Sequence, residues 1–408
     1  MWLFIHRPFE VWPRLGDYHI ERVYMIVTLI YWGFVAEKTW CSNRLNLAFL
    51  LLAISILLSA ILSPYGSGIN LTVENWLKIG VFYILIMSTV RNEVQLRFLV
   101  VSFLVVMALY VGHSFREFLN GRHFFRMGIA RLIGVDASMN DPNAFGATVL
   151  YSLPMIYPLW YEAKKRWKKL LLIGYVFLAC GCILLTGSRT AFAGLALLGI
   201  ILVAFSKYRY TFAAGFIITI PIIWVSLSQD LKNRYLTIVD PSVGPANAEE
   251  SAESRQEFFW KAVEIWEKNP VLGVGPACFS IASSTHAQAH TLYGQILSEL
   301  GTLGAIAFAI LLWAFFVNWR CAKLLTANIP TLRSTIEYRL VIAVTVTVGL
   351  LLFMGLGGHN LFRYTWLWYG AFLAIAVRQI TIRYSTADIR LPNSADTCIN
   401  YLQFDLLT

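Results

Sequence analysis

Uncharged runs of bilayer length recur along the whole chain. Arg44 and Glu74 enclose 29 uncharged residues, Asp141 and Glu162 enclose 20, and no charge falls between Lys169 and Ser188. A membrane-crossing helix needs about 20 such residues, with roughly 17 at the short end. The pattern predicts spans at 21–37, 45–63, 73–90, 95–114, 143–160, 169–187, 190–206, 210–228, 291–316, 338–356 and 364–381. The expected fold is an all-α polytopic integral membrane protein with about 11 transmembrane helices, forming a single membrane domain over 1–408. MWLFI at the start reads as the end of a further helix, giving about 12 in a longer form.

The polar positions between these runs orient them. KKRWKK at Lys164–Lys169, KYR at Lys207–Arg209, and the basic stretches Arg320–Arg339 and Arg378–Arg390 fall on one side of this threading. Dense Lys/Arg clusters mark the cytoplasmic side. Two hydrophilic loops then face outward, Phe115–Asp141 and the larger loop 229–290. Within the larger loop, ESRQEFFWKAVEIWEKNP spaces Phe258, Phe259, Val263, Ile265 and Trp266 as one face of a helix, which Asn269–Pro270 ends. An amphipathic helix lying on the membrane face or over a cavity is expected there.

Composition agrees with a membrane location. Of the 408 residues 58% are hydrophobic and 14% charged, against about 25% charged in a soluble domain. The net charge of +10 is spread between apolar runs rather than gathered on a solvated domain, so nucleic acid is not an expected partner. The N-terminus lacks the ordered n-region, h-region and cleavage site of a secretory signal. Cysteines 41, 180, 182, 278, 321 and 398 have no metal-site spacing, and disulfides are not expected.

Several polar residues stand where the membrane makes them costly. In TGSRTAFAG, Arg189 separates two apolar runs with almost no loop. One reading is an arginine that snorkels to headgroups; the other is a functional cation, with Ser188 capping the next helix and its N–H groups suited to phosphate. Arg255, at the start of the amphipathic helix, reads from the sequence alone as a solvated surface charge. Gly273-Val-Gly275-Pro276 is a turn without the strand–helix context of a nucleotide site. His286 and His290 are four apart, but two histidines without nearby Asp or Glu make an inadequate metal site, and no metal or other cofactor is expected. His290 directly precedes an apolar run, where a helix N-terminus disfavours imidazolium. It reads either as a base for a hydroxyl or as a hydrogen-bonding loop residue. His359, beside Arg363 in the last outward turn, reads as an auxiliary residue or as a polar interfacial turn. Arg126 of the first outward loop is a second auxiliary candidate.

Taken in order, these segments resemble the bacterial O-antigen ligase / polysaccharide polymerase superfamily. HTLYGQILSELGTLG resembles the family's His-Asn-x-Tyr-Leu…Glu-Leu-Gly signature, and DPNAFG at 141–146, TGSRTAFAG at 186–194, SRQEFFW at 254–260 and NPVLGVGPACFS at 269–280 precede it in the family's order. The resemblance covers roughly 130–315; it departs at Thr291, where Asn is usual, and at Gly294, where Leu is usual. It implies transfer of a glycan from an undecaprenyl-diphosphate carrier to an acceptor outside the bacterial inner membrane, without metal or nucleotide sugar. The acceptor would be a glycan, lipid A-core or a protein hydroxyl. By the same resemblance Arg189 and Arg255 would bind the donor diphosphate and His290 would activate the acceptor, in one inverting displacement. A transporter or flippase of lipid-linked saccharides is the alternative; it should show paired repeats or broken helices, and none is visible in the sequence.

Overall fold

Short polar residues stand at the start of the apolar runs and fix where helices begin. The side chain of Asn43 accepts from the Leu45 N–H, Asn70 from Thr72 and Val73, Asp141 from Asn143 and Ala144, Thr291 from Gly294 and Thr335 from Tyr338. Each satisfies donors that the first helical turn leaves open. The computed structural model describes the chain except residues 66–69, 127, 137–139, 206–208, 211–223, 226, 238–239, 241–246, 286, 328 and 387–408. The side chains of Pro13, Arg126 and 247–255 also fall outside the description.

Among the described residues, six helices are long and apolar enough to cross a membrane: Arg44–Ile61, Leu71–Thr89, Glu93–Leu119, Arg166–Leu185, Leu292–Ala327 and Ile336–Met354. Among the described residues the fold is all-α apart from one short hairpin, and the expectation of about 11 or 12 spans is corrected to about six. The reasons are local. The run at 21–37 makes a helix of only 15 residues, Ile20–Phe34, about 22 Å long at 1.5 Å per residue. The run at 143–160 is broken at Leu153–Met155, where Pro154 removes a helical donor, leaving Pro142–Ser152 and Ile156–Glu162. Arg189–Phe205 reaches 17 residues. The run at 210–228 lies mostly outside the described residues. Tyr364–Ser385 is long, but Arg378, Gln379 and Arg383 interrupt its apolar character.

The chain forms two compact units. The first comprises Met1–Val27, Val101–Ile156 and Ala163–Ser254. In it the strands Phe124–Arg126 and Ile129–Arg131 pair antiparallel, with Phe124 opposite Arg131. Helix Pro142–Ser152 packs on Arg166–Leu185 and Arg189–Phe205. A Cβ at Gly146 would lie 3.1 Å from the Ala191 Cβ, so the contact is backbone-close. The second unit comprises Thr28–Val100, Tyr157–Glu162 and Arg255–Thr408. There Leu292–Ala327 packs against Arg44–Ile61 and Tyr364–Ser385, and Tyr364–Ser385 against Ile336–Met354. Trp366, Trp368, Tyr369 and Phe372 of Tyr364–Ser385 are fully buried, which makes this helix the core of its unit.

The two ends of the second unit differ in chemistry. At one end Arg383 pairs with Glu93 and lies 3.2 Å from the buried Glu337, Arg97 pairs with Glu162 at 2.7 Å, and Arg339 stacks 4.1 Å over Tyr161. Helix Ile336–Met354 begins at that end and runs 19 residues, about 28 Å, to the turn that carries His359.

Candidate functional site

The turn before Arg189 is three residues long, because helix Arg166–Leu185 stops at Thr186 and the next helix starts at Arg189. Gly187 supplies the left-handed conformation, φ +60°, that so tight a reversal requires. Ser188 caps the second helix, its Oγ accepting from the Ala191 N–H at 3.3 Å.

Two other arginines hold this turn by its carbonyls. Arg131 donates through Nε to the Thr186 carbonyl at 2.6 Å and through Nη2 to Asn143 Oδ1 at 3.0 Å. Asn143 belongs to DPNAFG, so Arg131 joins that motif to TGSRTAFAG. Arg234 donates through Nε to the Gly187 carbonyl at 2.6 Å. Arg189 in turn donates through Nη1 to Thr237 Oγ1 at 3.2 Å, and Thr237 donates to the Arg234 carbonyl at 2.7 Å. The Tyr235 hydroxyl donates to the Leu184 carbonyl at 2.7 Å, and its ring lies 4.7 Å from Phe192. Burial pushes the Tyr235 phenol well up, against the pull of Arg131 and Arg234 beside it, so it stays a neutral donor. Helix Gln229–Leu236 and its C-cap Thr237 thus brace the turn with three side chains, while Leu231 and Tyr235 bury the helix's apolar edge. A cleft of about 360 Å³ borders this helix, lined by Phe118, Phe125, Ile129, Leu185, Leu227 and Leu231, with Ser228 and Asp230 as its polar positions.

His290 lies in the second unit, one residue before the Thr291 cap of the helix that opens with Leu292–Gln295. Thr291, which stands where the resemblance has Asn, caps this helix by accepting from the Gly294 N–H. The Phe258 ring meets the His290 ring edge-to-face at 5.0 Å. Phe258 belongs to helix Asn247–Lys268, whose face Phe258, Ala262 and Ile265 packs on Val274, Cys278, Phe279 and Ala289. The expected amphipathic helix is therefore present, and its apolar face covers the loop that leads to His290. Gly294 explains the other departure. A Cβ there would lie 2.9 Å from Thr291 Oγ1 and 3.2 Å from the Ala262 Cβ, so the helix leaves no room for a leucine.

The NPVLGVGP and SELG segments form one lock. The Val274 N–H donates to the Ser298 carbonyl at 2.8 Å and the Gly275 N–H to the Glu299 carbonyl at 3.0 Å. The Glu299 carboxyl, fully buried, accepts from the backbone of Ala277 and Phe279 and from the Gln295 amide. A Cβ at Gly273, φ +66°, would come within 2.6 Å of the Glu299 backbone. Residues Ile296–Leu300 adopt a π turn at this contact.

The turn with His359 docks at the same helix start. The Leu292 N–H donates to the Gly355 carbonyl at 2.8 Å, Tyr293 Oη donates to Leu352 at 3.1 Å, and the Leu361 N–H donates to Gln295 Oε1 at 3.4 Å.

The first unit therefore gathers Arg189 with Arg131 and Arg234. The second brings His290, the His359 turn and the helix bearing Arg255 to one end. Arg126 closes the first strand of the hairpin, with its side chain outside the described residues, as is that of Arg255; His286 lies outside them altogether. Sequence reasoning missed Arg234 and Thr237. The signal was the Leu231–Tyr235 pair, four apart, which marks a helix with a buried edge in a loop read as solvated.

No curated protein matches the chain. The family model described as O-antigen ligase matches residues 174–309, or 136 of the 408 residues. That segment encloses Arg189, Arg234, Arg255, Glu299 and His290. Through this partial domain match the chain is linked, at the level of family, to the O-antigen ligases.

Proposed function

We propose that the protein transfers a glycan from an undecaprenyl-diphosphate-linked saccharide to an acceptor hydroxyl at the periplasmic face of the bacterial inner membrane. One observation carries the reading: the O-antigen ligase match encloses Arg189, Arg255 and His290, and Arg189 sits in a turn built from guanidinium contacts. A glycosyl diphosphate already has a good leaving group. The protein's task is to meet the charge that grows on the leaving diphosphate and to take a proton from the attacking hydroxyl.

In this scheme the acceptor oxygen bonds to the anomeric carbon as the carbon–oxygen bond to diphosphate breaks. The acceptor proton passes to His290, and the diphosphate leaves with its negative charge held by Arg189 and Arg255. Guanidinium forks suit that task because they bind phosphate oxygens two at a time. A single displacement inverts the anomeric centre. The cation-rich end of the second unit, with Arg339 and Arg383, faces the cytoplasm in this reading, and the His290 end faces the periplasm.

The test is purified full-length protein in proteoliposomes with a lipid-diphosphate glycan and candidate acceptors. Covalent product of inverted configuration, formed at an unchanged rate with a chelator present, is the expected result. Intact donor recovered in the opposite leaflet would instead make the protein a transporter.

A further inference from the structure

A turn is a poor place to bind an anion when its carbonyl oxygens are uncovered. In the turn before Arg189 the carbonyls of Thr186 and Gly187 each accept from a guanidinium. The two arginines that do this are not equivalent. Arg131 is 2% exposed and has a second anchor on Asn143, so it belongs to the interior of the frame. Arg234 is only partly buried, and it sits on the helix whose end holds Arg189.

The contacts between Arg189 and Arg234 are reciprocal. Arg234 reaches from the helix to the turn through Gly187; Arg189 reaches from the turn to the helix through Thr237; and the Thr237 hydroxyl closes the loop on the Arg234 carbonyl. Gly187 is part of the same fit, since a Cβ there would meet Leu231 at 3.1 Å and the Arg234 side chain at 3.3 Å. Resting on the donor reading above, we infer that Arg234 is a positioning residue for the donor diphosphate: it fixes the direction of the Arg189 guanidinium and covers the Gly187 carbonyl with positive charge. Thr237 is its partner, the hydroxyl against which Arg189 is set. Replacing the Arg234 side chain leaves the Thr237 bond to the residue-234 carbonyl in place. It removes the anchor that holds this helix, and Thr237 with it, against the turn, so that Arg189 is set less firmly and the Gly187 carbonyl, which repels phosphate, is uncovered.

The experiment measures binding of undecaprenyl diphosphate to the full-length protein in nanodiscs, together with the thermal midpoint. Arg234→Gln should weaken binding roughly tenfold, the range of a lost charge-assisted hydrogen bond. Arg234→Lys, which keeps charge and one donor, should fall between Arg234→Gln and the parent, all at a parental midpoint. A merely structural role would lower the midpoint and leave the affinity of the folded fraction unchanged, and that result overturns the inference. Should Arg234→Gln fail to fold, Thr237→Val against Thr237→Ser decides: weaker binding only in the valine variant supports the inference, and equal binding in both overturns it. Equal binding by the parent and Arg189→Ala would sink the donor reading itself and the Arg234 inference with it. Loss in Arg189→Ala with parental binding in Arg234→Gln sinks only the latter.

Discussion

The arginine turn and the histidine end are both short segments that lead into an apolar helix, yet they are held in different ways. The arginine turn is held by charged side chains on carbonyls, from Arg131 and Arg234, with Arg189 set on Thr237. The histidine end is held by backbone docking and by small residues: Leu292 on Gly355, Val274 on Ser298, and Gly294 beneath Ala262. The difference separates two kinds of sensitivity. Around Arg189, changes of charge and donor geometry should matter most; around His290, changes of volume should.

The largest effect expected is at His290 itself. His290→Ala should lower transfer by about 10²–10⁴, the usual contribution of a general base, and a rate near the parent's would reduce His290 to a loop residue. Next comes Arg189→Lys, which keeps the charge and loses the fork. Transfer should fall by roughly 10²–10³, as when one charge-stabilising donor is removed. Full activity in the lysine variant would leave Arg189 as a topology residue.

Volume changes at the histidine end should act through stability. Gly273→Ala, at a left-handed position against the Glu299 backbone, should cost about 1–3 kcal/mol and show as a lower thermal midpoint. Gly294→Leu should cost a similar ~1–3 kcal/mol by forcing the Phe258–Ile265 face off the helix start. A parental midpoint in both would mean that this end is not close-packed. The smallest effect belongs to His359→Ala, in a turn that Asn360 and Leu361 contacts help to fix. Its transfer rate should stay within about twofold of the parent, and a larger loss would bring His359 into the site.

How far the sequence revealed this depended on whether the cause was local. Runs such as 45–63 and 338–356 became apolar helices because length and cap lie in the same stretch, at Asn43 and Thr335. The run at 143–160 looked similar in hydropathy, but its prolines at 154 and 158 outweighed its apolar character. Tyr364–Ser385 was legible as a helix but not as the buried core that its tryptophans and tyrosines make it. Arg189 stood out because it separates two apolar runs, and His290 because it directly precedes one. Arg131 and Arg234 did not, since their meaning comes from carbonyls 55 and 47 residues away. Spacing could not show a partner at that distance in the chain.

The central claim is a division of labour, with Arg189 serving the donor and His290 the acceptor. It is tested most directly by measuring, on the same preparations, donor affinity and transfer rate for the parent, Arg189→Lys and His290→Ala. The account predicts that His290→Ala binds the lipid-diphosphate donor as the parent does and fails to transfer it, whereas Arg189→Lys loses affinity and rate together. Equal loss of donor affinity in both variants, or parental transfer by His290→Ala, would contradict it.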